Sequence, residues 1–261
     1  MASADSDDEI PRSLRVLWGR TDRRPRAPQP ALNLDRIVAT AIEIADTDGI
    51  GALSMARLAE RLGCATMSLY RHVANKEELQ VFMMDAAPGD PPDIQTAPGD
   101  WRAGLERWAR ELQAVYYRHP WILQITAGHP PLEPGQLAWL DCGLRTLTGT
   151  RLDPQEKMKV ILLVLNYVRG EAQIALTLHQ ATGPEDHTDH DRQIWYGRML
   201  TKLVDAEHLP ALAELSTAGT FDPGRLEAHQ PPFDFALARI LDGLEVLLRS
   251  ETLPPGRQAG P

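Results

Sequence analysis

An all-α chain in two parts is predicted by three observations. Apolar residues recur with helical period in nearly every segment, no segment alternates convincingly as a strand, and Pro/Gly-rich or polar stretches punctuate the helices. The 261 residues (29.0 kDa) can bury a sizeable core, as one large domain or two small ones. The net charge is −9, with a pI near 5.4. That overall figure does not favour nucleic acid as a partner, but it conceals an asymmetry. Residues 10–36 carry seven arginines against two aspartates, a net +5, whereas everything after Ala87 sums to −7. A basic arm precedes an acidic body.

Residues 1–31, rich in Asp, Ser, Arg and Pro, read as a flexible basic arm, because Pro25, Pro28 and Pro30 break helices. Within it, residues 14–18 are apolar enough to dock. From Asn33, the residues Leu34, Ile37, Val38, Ala41, Ile42 and Ala45 line one helix face, capped by Asn33 and stopped at Asp48-Gly49. Ser54 caps a second helix that Gly63 ends, and Thr66 begins a third, running through Leu69 and Tyr70 to Val73. Asn75 caps a fourth, with Glu78 as its capping-box acid. The Pro-rich stretch from Pro88 is a linker. Longer helices follow, at Asp100–His119, Trp121–Ala127, Pro134–Leu147, Pro154–Leu178, Asp191–Val204, Pro210–Thr217 and Phe233–Arg249. Asp153, Pro154 and Glu156 form a strong start signal. The resulting division is a unit over 32–87, a helical body over 98–251 and a disordered tail over 252–261.

The stretch Ser54 to Lys76, SMARLAERLGCATMSLYRHVANK, has the spacing of a helix-turn-helix. Ala59 is the small residue where the helices cross. Gly63 supplies left-handed backbone in the turn, and Leu69 closes the pair. Leu58, Leu62 and Val73 complete a miniature core. Ser54 and Met55 open the second helix, whose free N–H groups can hold a phosphate oxygen. Thr66, Met67 and Ser68 would face base edges. Arg71 can reach a guanine, a pairing worth about 1–3 kcal/mol of discrimination. Tyr70 and His72 have the length to reach phosphates, and Lys76 adds a cation at a helix N-terminus.

This stretch resembles the DNA-binding domain of the TetR family of bacterial transcriptional regulators. Ile37, Ala41 and Gly49 carry the match in the first helix, and Leu53-Ser54-Met55 and Leu58-Ala59 in the second. Gly63 and Ser68 through Val73 continue it, and Asn75 through Leu79 complete it. The resemblance implies a helix-turn-helix, three-helix DNA-binding domain followed by a larger helical ligand-binding and dimerisation domain. It also implies a homodimer on double-stranded operator DNA, a small-molecule effector and, most simply, repression. Tyr70, His72 and Lys76 are then backbone contacts, and Thr66–Ser68 and Arg71 readers of sequence. In length the body looks like the tetracycline-repressor branch, but the region after Pro88 lacks that branch's drug-site histidine, so tetracycline is not the expected ligand.

Two apolar stripes suit a dimer interface, namely Phe233, Leu237, Ile240, Leu241, Leu244, Leu247 and Leu248, and Met158, Ile161, Leu162, Leu165 and Val168. Either stripe could instead face the internal core. Candidate ligand contacts are Trp108, Tyr116, Trp121, Trp139, Asn166, Tyr167, Arg169, His179 and Trp195, since aromatic walls with a few polar groups make a pocket. The same aromatics would equally serve as core. No cofactor or metal is expected, and His187, Asp189, His190 and Asp191 read as a solvated loop. Two cysteines make no disulfide framework or structural zinc site. No apolar run near membrane-span length and no secretory signal are evident, so the cytoplasm is the default. An adaptor that binds a protein partner, or an all-α enzyme, remains an alternative. Against the enzyme, the chain lacks a Gly-rich phosphate loop, HExxH and GxSxG.

Overall fold

In a computed structural model the protein is all-α, with residues 10–19, 32–94, 100–125, 130–181, 189–220 and 232–249 described and no strand among them. The helices are α1 (Arg12–Leu17), α2 (Leu34–Asp48), α3 (Met55–Leu62), α4 (Thr66–Leu69), α5 (Lys76–Ala86), α6 (Trp101–Arg118), α7 (Pro134–Thr146), α8 (Pro154–Ala181), α9 (Asp189–Leu203), α10 (Pro210–Thr217) and α11 (Pro232–Arg249). They divide into two compact units, Met1–Ala172 with Gly243–Pro261, and Gln173–Asp242.

In the first unit, α2 packs against α3 and α5. Ile37, Val38, Ala41, Ile44 and Ala45 are buried, so the stripe on α2 turns slightly toward Ile44 and leaves Ile42 half-buried. The expected caps are present. Asn33 accepts from the Arg36 N–H (2.8 Å), Ser54 from Arg57 (3.2 Å) and Asn75 from Glu78 (2.7 Å). Each such cap contributes about 1 kcal/mol. Gly63 is left-handed (φ 66, ψ 36), and the Cys64 and Gly63 N–H groups close back onto the carbonyls of Ala59 and Glu60. That double closure ends α3 and aims the chain into α4.

Two sequence expectations require correction in this region. The third helix ends at Leu69, and Tyr70–His72 form a tight turn in which His72 N–H bonds the Leu69 carbonyl. Asn75 must cap α5 only a few residues later, which leaves no room for further α-helix. The arm is also not flexible throughout: residues 12–17 form α1, which packs on α5 and buries Leu14, so the short apolar piece does dock.

The body of this unit is built on α6, α7 and the first part of α8. Trp108 and Trp121 are almost fully buried, and Gly143 lets the Trp108 ring lie against the α7 backbone. Pro120–Gln124 is a short 3-10 helix rather than the start of an α-helix from Trp121 to Ala127. Asp153 and Glu156 form a reciprocal capping box, Glu156 N–H to Asp153 at 2.8 Å and Asp153 N–H to Glu156 at 3.0 Å. In the second unit, α9 and α10 pack together and the hydroxyls of Thr201 and Ser216 hydrogen-bond at 2.7 Å.

The two stripes assigned to a dimer face split. Ile161, Val168, Phe233, Leu237, Leu241 and Leu244 are buried within the chain, whereas Leu162 remains exposed. The outward apolar positions on α8 and α11 also include Leu163, Ile174, Phe235 and Val246. A helix with two apolar faces satisfies periodicity on either one, so spacing alone does not choose the inward face. Among the described residues, Pro154–Thr177 of α8 is long and apolar enough to cross a membrane by length and composition alone, although Asn166, Arg169 and Glu171 interrupt its apolar residues.

A Cβ on Gly143 would come within 2.9 Å of the Trp108 ring and 3.2 Å of Ile161 Cδ1. Gly143→Ala is therefore expected to destabilise the fold by about 1–3 kcal/mol, read as a lower midpoint in urea unfolding.

Candidate functional site

The turn at Gly63 presents α4 and the following residues on the protein surface. Leu69 and Val73 point inward and are fully buried, which fixes the rotation of the segment. Met67 (74% exposed) and Tyr70 (44%) consequently face solvent, with Arg71 exposed and Thr66, Ser68, His72 and Lys76 half-buried. The Arg71 guanidinium donates to Ser68 Oγ at 3.1 Å, which holds its long side chain along α4. Ser54 and Met55 open α3. The Ser54 hydroxyl accepts from Arg57 N–H and keeps its own O–H for donation to an outside acceptor. Arg57, in turn, pairs with Asp48 (2.7 Å). Lys76 is the first residue of α5, immediately after its Asn75 cap. A hydroxyl, a phenol, a guanidinium and an ammonium thus surround one short helix with an exposed thioether at its start. This set can meet phosphate oxygens at its edges and base edges at its centre.

Two joints tie these helices to the body, and neither was among the sequence candidates. Asp46, near the end of α2, accepts from His119 Nδ1 (2.8 Å) and Trp121 Nε1 (2.6 Å), both of which follow α6 and are buried. Asp85, near the end of α5, accepts the Gly135 N–H at 2.6 Å and so caps α7 from another helix. Burial pushes the Asp85 carboxyl above its ordinary value, against the opposing pull of the Gly135 and Gln136 N–H groups. Local spacing carries no trace of contacts 50 to 75 residues apart.

The candidate ligand contacts do not converge as one set. Trp108, Trp121 and Trp139 are core residues with their N–H groups already occupied. Trp108 donates to the Trp139 carbonyl (2.9 Å), Trp139 to the Gly89 carbonyl (2.9 Å) and Trp121 to Asp46. The structure does bring Tyr116 and Arg169 together, from α6 and α8, with a hydrogen bond between them. Burial pushes the Tyr116 phenol up, and the Arg169 charge opposes it. Two residues further along α8, Glu171 accepts from Gln113 Nε2 (3.1 Å) and from the Tyr117 hydroxyl (3.4 Å), which adds three residues to the polar seam between α6 and α8. Asn166 is exposed on α8, Tyr167 is half-buried, and Trp195 is exposed on α9 in the second unit. The His179 side chain and the cluster member His187 lie outside the described residues, as do the side chains of Asp189 and His190; Asp191 is exposed on α9.

Two family models match the chain. Residues 37–80 match bacterial regulatory proteins of the tetR family, and residues 92–248 match the tetracycline repressor-like C-terminal domain. The chain belongs to the TetR family. Among its relatives is the HTH-type transcriptional repressor DrrR1 of Streptomyces coeruleorubidus, 40% identical over 254 residues, which are 94% of this chain and 90% of that protein. Solved relatives include the TetR-family protein ActR of Streptomyces coelicolor. Its complex with actinorhodin shares 26% identity at a TM-score of 0.66 and covers 87% of this chain and all of that one. Its complex with (S)-DNPA shares 27% identity at a TM-score of 0.64, with 84% and 99% covered. As a TetR-family member the chain is a DNA-binding transcription regulator, and α6–α11 lie in its C-terminal domain.

The joint at Asp85 has a pH signature. Its folded-state pKa lies above the ordinary 3.8, so the fold favours the protonated carboxyl. Its contribution to stability is full below 3.8 and is lost as pH rises through the raised value. Asp85→Asn cannot ionise and still offers an oxygen to Gly135. It is expected to flatten the dependence of Tm on pH in the weakly acidic range and to equal or exceed the parent at pH 7, as measured by thermal melts from pH 4 to 7.

Proposed function

We propose that this TetR-family regulator is a homodimeric repressor. It reads a palindromic operator with α3 and α4 and leaves the DNA when a small molecule binds between α6 and α8. The observation that carries the DNA half is the orientation of α4. Buried Leu69 and Val73 turn Met67, Tyr70 and Arg71 outward together, with Lys76 beside them. Tyr70, His72 and Lys76 hold phosphates, while Thr66, Met67, Ser68 and Arg71 address base edges. Ser54 and Met55 hold a further phosphate at the start of α3.

One short helix binds DNA weakly on its own, so two copies about 34–36 Å apart share a palindrome. The outward apolar residues Leu162 and Leu163 of α8 and Val246 of α11, all in the first unit, supply the dimer face. Repression accords with the relative DrrR1, a transcriptional repressor, and the bound molecules of ActR support a small-molecule effector. In this chain Tyr116, Arg169, Gln113, Tyr117 and Glu171 offer donors and acceptors of both charges to such a molecule. The effector need only prefer the released form by about 1–3 kcal/mol to act as a switch. A regulator of this kind works in the cytoplasm, where the operator lies.

The test is footprinting on the DNA upstream of its own gene across a salt series. A protected palindrome is expected, with affinity falling steeply as salt rises. Tyr70→Ala and Lys76→Ala should each weaken binding, and Lys76→Ala should lower the salt slope by about 0.9. Unchanged affinity in both variants, with the dimer folded, would overturn the interface. Compounds are then scored by release of the footprint. Arg169→Ala is expected to abolish release while leaving the footprint itself intact.

A further inference from the structure

The N-terminal helix α1 lies before the region matched to the tetR family, which begins at residue 37. It nevertheless packs along α5 and is secured at both ends. At its start the Arg12 guanidinium pairs with Glu78 through Nη1 and donates to the His72 carbonyl through Nη2 at 3.4 Å. Midway, Leu14 is buried. At its end the Trp18 indole N–H donates to the Leu132 carbonyl at 3.0 Å, in the segment that leads into α7.

Glu78 is the centre of this arrangement. It is buried, its backbone N–H donates to the Asn75 side chain, and its carboxylate also accepts the Ala74 N–H at 2.5 Å. The departure from an ordinary capping box is informative: the carboxylate takes the N–H one residue before the cap and reserves capacity for Arg12. The carbonyl of His72, the N–H of Ala74 and the side chain of Asn75 are therefore all held through Arg12 or Glu78. These residues form the turn that sets the distance between Tyr70, Arg71 and His72 on one side and Lys76 on the other.

We propose that Arg12 is a positioning residue of the operator-reading surface, acting through Glu78 and the His72 carbonyl to fix the turn 72–75. The inference rests on the DNA interface described above. A buried carboxylate is stable only when its charge and hydrogen-bonding capacity are met, and Arg12 supplies the positive charge from outside the helix-turn-helix. Both of its terminal nitrogens donate to protein groups, which ties Arg12 to the turn, and its proposed influence on DNA passes through that turn. Groups that must meet DNA together need placement within about 0.5 Å, and a turn tied at three points provides that. The first turn of the arm is thus a working part of the reading head.

The experiment is a double-mutant cycle on the full-length dimer, with Arg12→Ala, Glu78→Gln and the double variant, and with Lys76→Ala as the control. Operator affinity is measured across a salt series, with folding followed by circular dichroism. Arg12→Ala is expected to weaken operator binding about tenfold. The double variant should bind nearly as tightly as Glu78→Gln alone, because the ion pair that carries most of the effect is already cut and only the longer bond to the His72 carbonyl is left to lose. The salt slope should stay near the parent value in the Arg12 variants and fall by about 0.9 in Lys76→Ala. Should Arg12→Ala leave Glu78 uncompensated and fail to fold, the comparison of Glu78→Gln with the double variant still decides. Near-equal affinities support the positioning role, and a further tenfold loss with a lower slope shows Arg12 to be a direct phosphate contact and overturns it. If Arg12→Ala binds like the parent while Lys76→Ala does not, the positioning role fails and the interface stands. If neither changes binding, the interface itself fails.

Discussion

Oxygen Oδ1 of Asp46 receives the Nδ1–H of His119 and the Nε1–H of Trp121, and on this junction the relation between the reading helices and α6 depends. Apolar packing alone brings helices together but leaves them able to slide, since it has little directionality. Two hydrogen bonds converging on one carboxylate remove that freedom. Both donors are themselves buried, so breaking the junction would strand polar groups away from water at about 1–3 kcal/mol each. The constraint sits three residues beyond Tyr116, so any shift of the end of α6 is felt at α2.

The same device recurs around the reading head. Asp85 caps α7 from α5, Glu78 gathers Arg12 and Ala74, and Arg57 of α3 pairs with Asp48 of α2. Carboxylates at or near helix ends do the fastening. Helix N-termini carry the unpaired N–H groups and the favourable dipole that Glu78 on α5 and Asp85 at the start of α7 exploit, whereas Asp46 and Asp48, in the last turn of α2, take side-chain donors instead. Tryptophans contribute in a complementary way. Trp18, Trp108 and Trp139 each donate to a backbone carbonyl, combining a large apolar area with one directional bond.

The residues facing outward on α4 have been spared such duties. Met67 and Tyr70 contribute exposed area and little to the core, while Leu69 and Val73 between and beyond them carry the packing. This separation allows operator specificity to change without loss of the fold. The seam of Tyr116, Arg169, Gln113, Tyr117 and Glu171 is different. Its polar groups satisfy one another, so the effector proposed to bind there would have to replace those bonds.

Local chemistry made much of this protein legible from its sequence. Asn33, Ser54, Asn75 and the Asp153–Glu156 pair act on N–H groups within three residues, and Gly63 acts on its own backbone, so each can be read without knowing the fold. The helix-turn-helix is such a local object, and the family resemblance of its residues rests on that compactness. Tertiary structure decided the rest. Periodicity found the stripes of α8 and α11, but only packing chose Ile161, Val168 and Leu237 as inward and Leu163, Phe235 and Val246 as outward. Composition points to aromatic residues as the lining of a pocket, yet the partners of Trp108, Trp121 and Trp139 identify these three as core. Arg12 and Glu78 are 66 residues apart, and Asp46 and Trp121 are 75 apart. An ion pair or hydrogen bond at such separation depends on where folding delivers its two ends, and neither end alone carries a mark of the other.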